Sequence, residues 1–381
     1  MKKNEINLLL SFLLIMSIFF AVVGFIKDIE NTSLFGGMDL RNRVVGSRLI
    51  KAGYDPYFFK WNDSFSDFFL DSRDHPNIPV SRVTVPPTVL QLHSFFSDLP
   101  YKIQRYAWTF IQWILLILSI YFFTKSEKNL IKTKLIWITS LFFMAGSYVF
   151  RLHVERGQIY ILFVFLFSTA YYIYQDKNKF SSILSGIIIG YTTALRPPMC
   201  FIGVPFLIYK KWRFIVGQII GFIIGILTSF IFVNFKIWKS YFTAMDIHEK
   251  VHLGILKMST ERYPYINIED TRDLWMGAQL PISDSSIQGM FYNFFNIRIP
   301  SNSLIIGLII CLIVFIVILL RLKIKSANME VLFFYGSLMV LISEFFIPAA
   351  RFSYNNVIWL IPLSLIIINS ESILSTFINK K

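Results

Sequence analysis

Residues 181–213 read SSILSGIIIGYTTALRPPMCFIGVPFLIYKKWR, and the fold of the whole chain turns on Arg196-Pro197-Pro198. The stretch is apolar enough to enter a bilayer on either side of that triplet. Consecutive prolines, however, remove backbone donors and push the preceding residue away from helical geometry. The segment is therefore either one long kinked helix or two half-length helices, 181–195 and 198–209. The surrounding charges arbitrate, because cytoplasmic loops of membrane proteins collect Lys and Arg. With a break at the triplet, Lys2/Lys3, Lys125–Lys134, Lys177/Lys179, Lys210/Lys211/Arg213, Arg321/Lys323/Lys325 and Lys380/Lys381 all fall on one side. Without it, the later clusters fall on the other. The chain is read with the break, with both termini cytoplasmic and Arg196 at an outer, broken-helix tip. Non-helical backbone at that depth is tolerated only where protein buries it or it lines a wet cavity.

The rest of the 381 residues fits this frame. Hydrophobic residues make up 55% and charged ones 16%, below the roughly 25% charged of soluble domains. The apolar residues come in blocks at 8–26, 105–124, 135–150, 158–174, 181–195, 198–209, 214–233, 302–320, 330–347 and 355–370. The expectation is an all-α, polytopic membrane domain with about ten spans in the cell membrane. The first block is read as an uncleaved helix, since it is long enough to span and no small-x-small cleavage site follows it. The net charge of +14 is distributed as clusters between apolar blocks rather than as one basic face, which argues against a nucleic-acid partner. Cys200 and Cys311 lie inside apolar blocks and match no metal spacing. No Gly-rich nucleotide loop, internal repeat or linker appears. Two long segments, 27–104 and 234–301, face outward and hold most of the acids, so the chemistry is expected on the extracytoplasmic face, with 27–104 as the catalytic loop.

The first outer segment opens FGGMDLRNRVVGSRLIKAGYDPYFF. Gly36 and Gly37 break the chain, and Asp39 then starts a short amphipathic helix with Leu40, Val44, Val45 and Leu49 on its apolar side. Asp39 is either a helix-start acid favoured by the dipole or a general base at the membrane boundary. Arg41, Arg43 and Arg48 either line a solvated face or recognise phosphate with their planar forks. Arg196, ending an apolar stretch, either snorkels to headgroups or meets a lipid phosphate in a cavity; Arg351, in an outer turn, is similar. The run RLHVERGQ, with His153, Glu155 and Gln158, reads as an acceptor-binding or structural polar turn and lacks a second ligand pair for a metal. His248 and His252, at i and i+4, read as surface residues.

Several motifs, in order, resemble the polyprenyl-phosphate-sugar-dependent glycosyltransferases of family 87, in the C-type superfamily. They are Asp39 with Gly53-Tyr54-Asp55-Pro56-Tyr57; Val85-Pro86-Pro87-Thr88-Val89-Leu90; Gly157-Gln158-Ile159-Tyr160; and Gly190 to Pro197 followed by Lys210-Lys211-Trp212-Arg213. Asp284-Ser285-Ser286-Ile287-Gln288-Gly289 and the turn from Ile347-Pro348 to Asn356 complete the set. The chain departs from the pattern in two places. Arg351-Phe352-Ser353-Tyr354-Asn355-Asn356 stands where members often carry His or Trp-His, and Ile-Tyr follows Gln158 where an apolar residue and Asn are usual.

The resemblance implies a C-type fold and transfer of a sugar, typically mannose, from a lipid-linked monophosphate to a glycan or glycolipid acceptor at the outer leaflet. Its reading here is an inverting transfer with Asp39 as base. Arg196, Arg41 and Arg351 would lie on the donor phosphate, with His153, Glu155, Gln158 and Tyr354 on the sugar or acceptor. The lipid-linked sugar is a substrate, and no resident cofactor or metal is assigned. Rival readings are an envelope glycan polymerase or ligase using diphosphate-linked oligosaccharides, and a secondary transporter. The early position of the best acid, the single break and the missing repeat weigh against these rivals.

Overall fold

A computed structural model describes residues 3–34, 36–74, 79–176, 178–252, 284–322, 329–349 and 351–370, and no strand occurs among them. The helices are α1 (Lys3–Leu34), α2 (Met38–Lys51), α3 (Pro87–Ser94), α4 (Tyr101–Thr124), α5 (Leu130–Ser140), α6 (Tyr148–Arg156), α7 (Tyr160–Tyr174) and α8 (Lys179–Leu195). After a 3₁₀ turn at Pro197–Ile202 come α9 (Gly203–Ile208), α10 (Trp212–Ser229), α11 (Phe235–His252), α12 (Ile287–Phe295), α13 (Ser301–Leu322) and α14 (Met329–Phe346). A second 3₁₀ stretch, Ser353–Trp359, leads into α15 (Leu360–Ile368).

Asn4–Leu34, Tyr101–Thr124, Trp212–Ser229 and Ser301–Arg321 are the four described helices long and apolar enough to cross a membrane, and a bent pair, Leu130–Ala145 with Tyr148–Arg156, raises this to five. The pair bends by 58°. The other apolar blocks form helices of 10–17 residues. About ten spans of full length are therefore not what the described residues contain. Prolines, glycines and serines cut several blocks into pieces, among them the block at 135–150, which passes through a π turn at Leu141–Ala145 and breaks at Gly146-Ser147 before α6. The outward faces of α1, α10 and α13 carry Ile15, Ile223 and Ile313 at 65%, 47% and 54% exposure, the apolar kind of surface that suits lipid.

The chain does break at the proline pair: α8 ends at Leu195 and Arg196 is extended. Pro198 has no N–H for the carbonyl of Ala194, and the Thr88 hydroxyl donates to that carbonyl at 2.7 Å instead. The break is a reversal. On α8, Gly186 abuts Phe214 and Gln218 of α10, Gly190 abuts Gln218 and Phe222, and Ala194 abuts Gly225. The register advances in the same direction on both helices, so they run parallel and residues 197–208 carry the chain back between them. Six 3₁₀ and six α residues rise about 21 Å, comparable to the ~26 Å of α8. A Cβ on Gly190 would stand 1.9 Å from the Gln218 carbonyl oxygen, so small residues spaced by four let these backbones touch.

Helix α1 continues past residue 26 to Leu34, so the segment expected to face outward begins later than the apolar block implied. Its last turns are locked to α4: the Trp113 indole donates to Asp28 Oδ2 at 2.9 Å, and the Thr32 and Thr109 hydroxyls are 2.9 Å apart. The expected amphipathic helix is α2, with Leu40, Val44, Val45 and Leu49 at most 4% exposed. Of the second outer segment, 234–301, residues 253–283 lie outside the described residues.

Candidate active site

The site is assembled around the N-terminus of α2. Gly37 caps it with φ +64°, a left-handed conformation that suits glycine, and the Tyr101 hydroxyl donates to the Gly37 carbonyl at 2.9 Å. Asp39 therefore stands in the first turn, its side chain 15% exposed.

The partner of Asp39 comes from the end of α6. The RLHVERGQ stretch is helical through Arg156 rather than a turn, because Phe150 and Val154, four residues apart, are fully buried. The helix stops at Gly157, whose φ is +69° and whose added Cβ would lie 2.7 Å from the Leu40 Cβ. Only a glycine lets α6 end this close to α2. The terminal carbonyls of α6 are capped by cations, as helix C-termini favour. Arg105 donates to Val154 and Glu155 carbonyls at 3.0 and 2.9 Å, and Arg43 donates to the Gly157 carbonyl at 2.8 Å.

Gln158 is thereby delivered to Asp39. Arg43 Nη2 donates to Gln158 Oε1 at 2.7 Å, which turns the amide so that Nε2 donates to Asp39 Oδ2 at 2.6 Å. Arg156 Nη1 lies 3.6 Å from the same oxygen, and Arg82 Nη2 lies 4.0 Å from Oδ1. Oδ1 has no hydrogen bond among the described residues. Burial lowers the pKa of the Arg43 guanidinium from its usual value, against the favourable field of Asp39. Arg156 sits over the rings of Phe352 and Tyr354, 5.3 and 5.4 Å from their centroids.

A second cluster adjoins this one through Tyr160. Arg196 lies 5.1 Å from the Tyr160 centroid and makes a bidentate pair with Glu344, Nε to Oε1 at 2.9 Å and Nη2 to Oε2 at 2.6 Å. Glu344 is 2% exposed and Arg196 26%. Arg351 stacks on Phe345 at 4.4 Å and donates to the Ser285 hydroxyl at 2.9 Å. Its backbone N–H donates to Asp284 Oδ1 at 2.9 Å, so the serine turn at Asp284 and the turn at Arg351 dock together.

Asp39, Gln158 and Tyr354 thus meet at one place, with Arg196 and Arg351 beside it. Arg41 lies elsewhere, stacked 3.9 Å over Tyr101. His153 is fully buried, its Nε2 accepting from the backbone N–H of Ile161 at 3.2 Å at the start of α7. Glu155 is half-buried in the field of Arg156, Arg151 and Arg105. Arg48 donates to the carbonyls of Ser97, Phe68 and Leu99 and holds the loop around α2. Among the described residues no group of His, Cys, Asp or Glu gathers as a metal-binding cluster. Sequence reading missed Arg82, Arg156 and Glu344 as site residues. For Glu344 the signal was present, since an acid inside an apolar helix marks a site with a partner to be found.

Beyond Arg82, residues between Asn42 and Val83 line a cavity of about 300 Å³. Lys60 and Asp74 pair at its edge at 2.9 Å. Burial raises the Asp74 carboxyl to about 6 against the opposing pull of Lys60, and burial lowers Lys60.

The chain has no significant match among curated proteins or among solved structures. Its residues 84–348, more than half of its length, match the family model described as Glycosyltransferase family 87, and the chain belongs to that family.

Proposed function

We propose that this membrane glycosyltransferase moves a sugar, mannose in the first instance, from a polyprenyl-phosphate donor to a glycan or glycolipid acceptor on the extracytoplasmic face, with inversion. The observation that carries the reading is the state of Asp39. One carboxylate oxygen is anchored by Gln158, while the other has no hydrogen bond and so keeps its lone pairs for a proton. In the step, an acceptor hydroxyl oxygen attacks the anomeric carbon, the carbon–oxygen bond to phosphate breaks, polyprenyl phosphate leaves, and the hydroxyl proton passes to Asp39.

Cations fixed before the reaction stabilise the departing phosphate charge. Arg156 and Arg351 serve this role, with Arg196, whose pair with Glu344 uses Nε and Nη2 and leaves the Nη1 edge. Arg41, stacked on Tyr101, takes no part in this scheme. The remaining short apolar helices would bring the number of crossings to about ten, with both termini cytoplasmic and the reversal at Pro197-Pro198 beside the lipid-linked donor. The test is transfer of label from radiolabelled polyprenyl-phosphate mannose to a host lipid and glycan extract. Wild type should transfer, while folded Asp39→Asn and Asp39→Ala should not. Transfer by both variants at the wild-type rate would remove Asp39 as the base.

A further inference from the structure

We infer that the cavity alongside α2 is a binding site for the uncharged glycosyl group of the acceptor, held by Arg82 and Asp71, with Arg82 shared with Asp39. The cavity, of about 300 Å³, is at the small end of the range of roughly 300–1,000 Å³ for small-molecule sites. That size suits a sugar head rather than a polyprenyl chain. One wall is α2, through Asn42, Val45 and Leu49, so the cavity lies along the helix that carries Asp39. Another is aromatic, from Phe59, Trp61 and Phe69, the kind of surface on which the apolar face of a sugar ring packs.

The polar lining decides the class of ligand. Arg82 is 5% exposed, yet among the described residues its Nε and Nη1 have no hydrogen-bond partner, and the same is true of Asp71 Oδ2. The two groups face each other across 3.7 Å from Nη1 to Oδ1, longer than a hydrogen bond. Buried donors and acceptors are ordinarily satisfied. A group that bridges them from the cavity side must accept from Arg82 and donate to Asp71, and a hydroxyl does both. A fully ionised phosphate only accepts, and any phosphate would meet Asp71 with like charge. Asp63, Asp71 and Asp74 also outnumber Lys60 and Arg82 in the lining, so an anion is disfavoured here. The phosphate-friendly cations Arg156, Arg196 and Arg351 belong to the other side of the site. Arg82 spans the division, its Nη2 being 4.0 Å from Asp39 Oδ1, so one guanidinium borders both the cavity and the proposed base.

The word acceptor rests on the transferase reading, whereas the site itself does not, and the test separates them. Equilibrium binding of radiolabelled octyl α-mannoside, octyl β-glucoside and octyl β-galactoside is measured to protein in lipid nanodiscs without donor. Wild type should bind at least one saturably, and inorganic phosphate should not compete. Asp71→Asn and Trp61→Ala should each weaken binding about tenfold or more, the cost of losing one buried polar or ring contact. Trp61 is at the rim, so Trp61→Ala decides alone if Asp71→Asn does not fold. Saturable binding unchanged in the variants, displacement by phosphate, or no binding of any glycoside would each overturn the site. Binding lost in both variants, with no transfer from any lipid-linked donor by wild type, would support the cavity and overturn the transferase reading alone.

Discussion

Gln158 is the residue on which the site's geometry depends, because its amide has a direction. Arg43 donates to its oxygen, and only then does its nitrogen point at Asp39. Gln158→Leu keeps the size and removes the donor. Transfer is expected to fall roughly tenfold to a hundredfold, part of what a positioned general base contributes. Gln158→Glu should be at least as damaging, since it places a second carboxylate against Asp39. Steady-state transfer rates, with folding checked by thermal melting, decide this; rates equal to wild type would mean Asp39 needs no orientation. At Glu344 the expectation concerns stability. Glu344→Leu leaves the Arg196 guanidinium without its bidentate partner, and breaking a buried pair costs about 3–5 kcal/mol. The loss should lie toward the low end of that range because Arg196 keeps 26% exposure. A melting temperature within a degree or so of wild type would show that water replaces the carboxylate without loss.

Among the elements, the parallel pair α8 and α10 carries Arg196 to its place. Gly190→Leu drives a side chain into the Gln218 carbonyl, 1.9 Å from the ideal Cβ position. Overpacking of this kind typically costs about 1–3 kcal/mol, and here more, since backbone rather than a flexible side chain is in the way. Lower yield of folded protein and a lower melting temperature are expected, whereas Ile219→Leu on the lipid-facing side of α10, where Ile219 is 54% exposed, should change neither. The end of α6 is a second such point. Gly157→Ala must accept both φ +69° and a contact of 2.7 Å with Leu40. A loss of about 1–3 kcal/mol is expected, accompanied by reduced transfer, because the turn that aims Gln158 is the turn being strained. Normal transfer by a destabilised Gly157→Ala would separate the turn's folding role from its role at the site.

For the whole molecule, packing of α3 and α11 against the rest of the fold is expected to be sensitive to acid. Burial, helped by Arg43, lowers His93 to about 3. Burial also lowers His248 to about 4, against the opposing hydrogen bond with the Ser81 carbonyl. Both are neutral in the fold and take a proton near pH 6.5 when unfolded. Between those values these two imidazoles bind more protons in the unfolded chain, so the stability they confer above about pH 6.5 is lost as pH falls toward 4, offset in part below about 6 by Asp74, whose carboxyl takes its proton more readily in the fold. Melting temperatures should decline over that interval, and less steeply in His248→Gln; a flat profile would show that neither imidazole is held neutral. Cations also tie helix ends together on the face away from Asp39: Lys134 donates to Asn7 Oδ1 at 2.6 Å and Lys132 to the Ile368 carbonyl at 2.9 Å. These ties join the start of α5 to α1 and α15, so part of the basic cluster used to orient the chain has a packing role as well. The sequence by itself determined where helices could form, that the chain must break at Pro197-Pro198, and that Asp39 opens a helix with Gly-Gln later in the chain. These are local matters, set by proline's missing donor, glycine's freedom and the spacing of apolar residues. Only the tertiary structure decided that Gln158 meets Asp39, that Glu344 holds Arg196, that α8 and α10 run parallel, and that Arg82 and Asp71 face each other across a cavity. Each of those joins residues distant along the chain, and which polar groups find each other is settled by the packing of the helices that carry them.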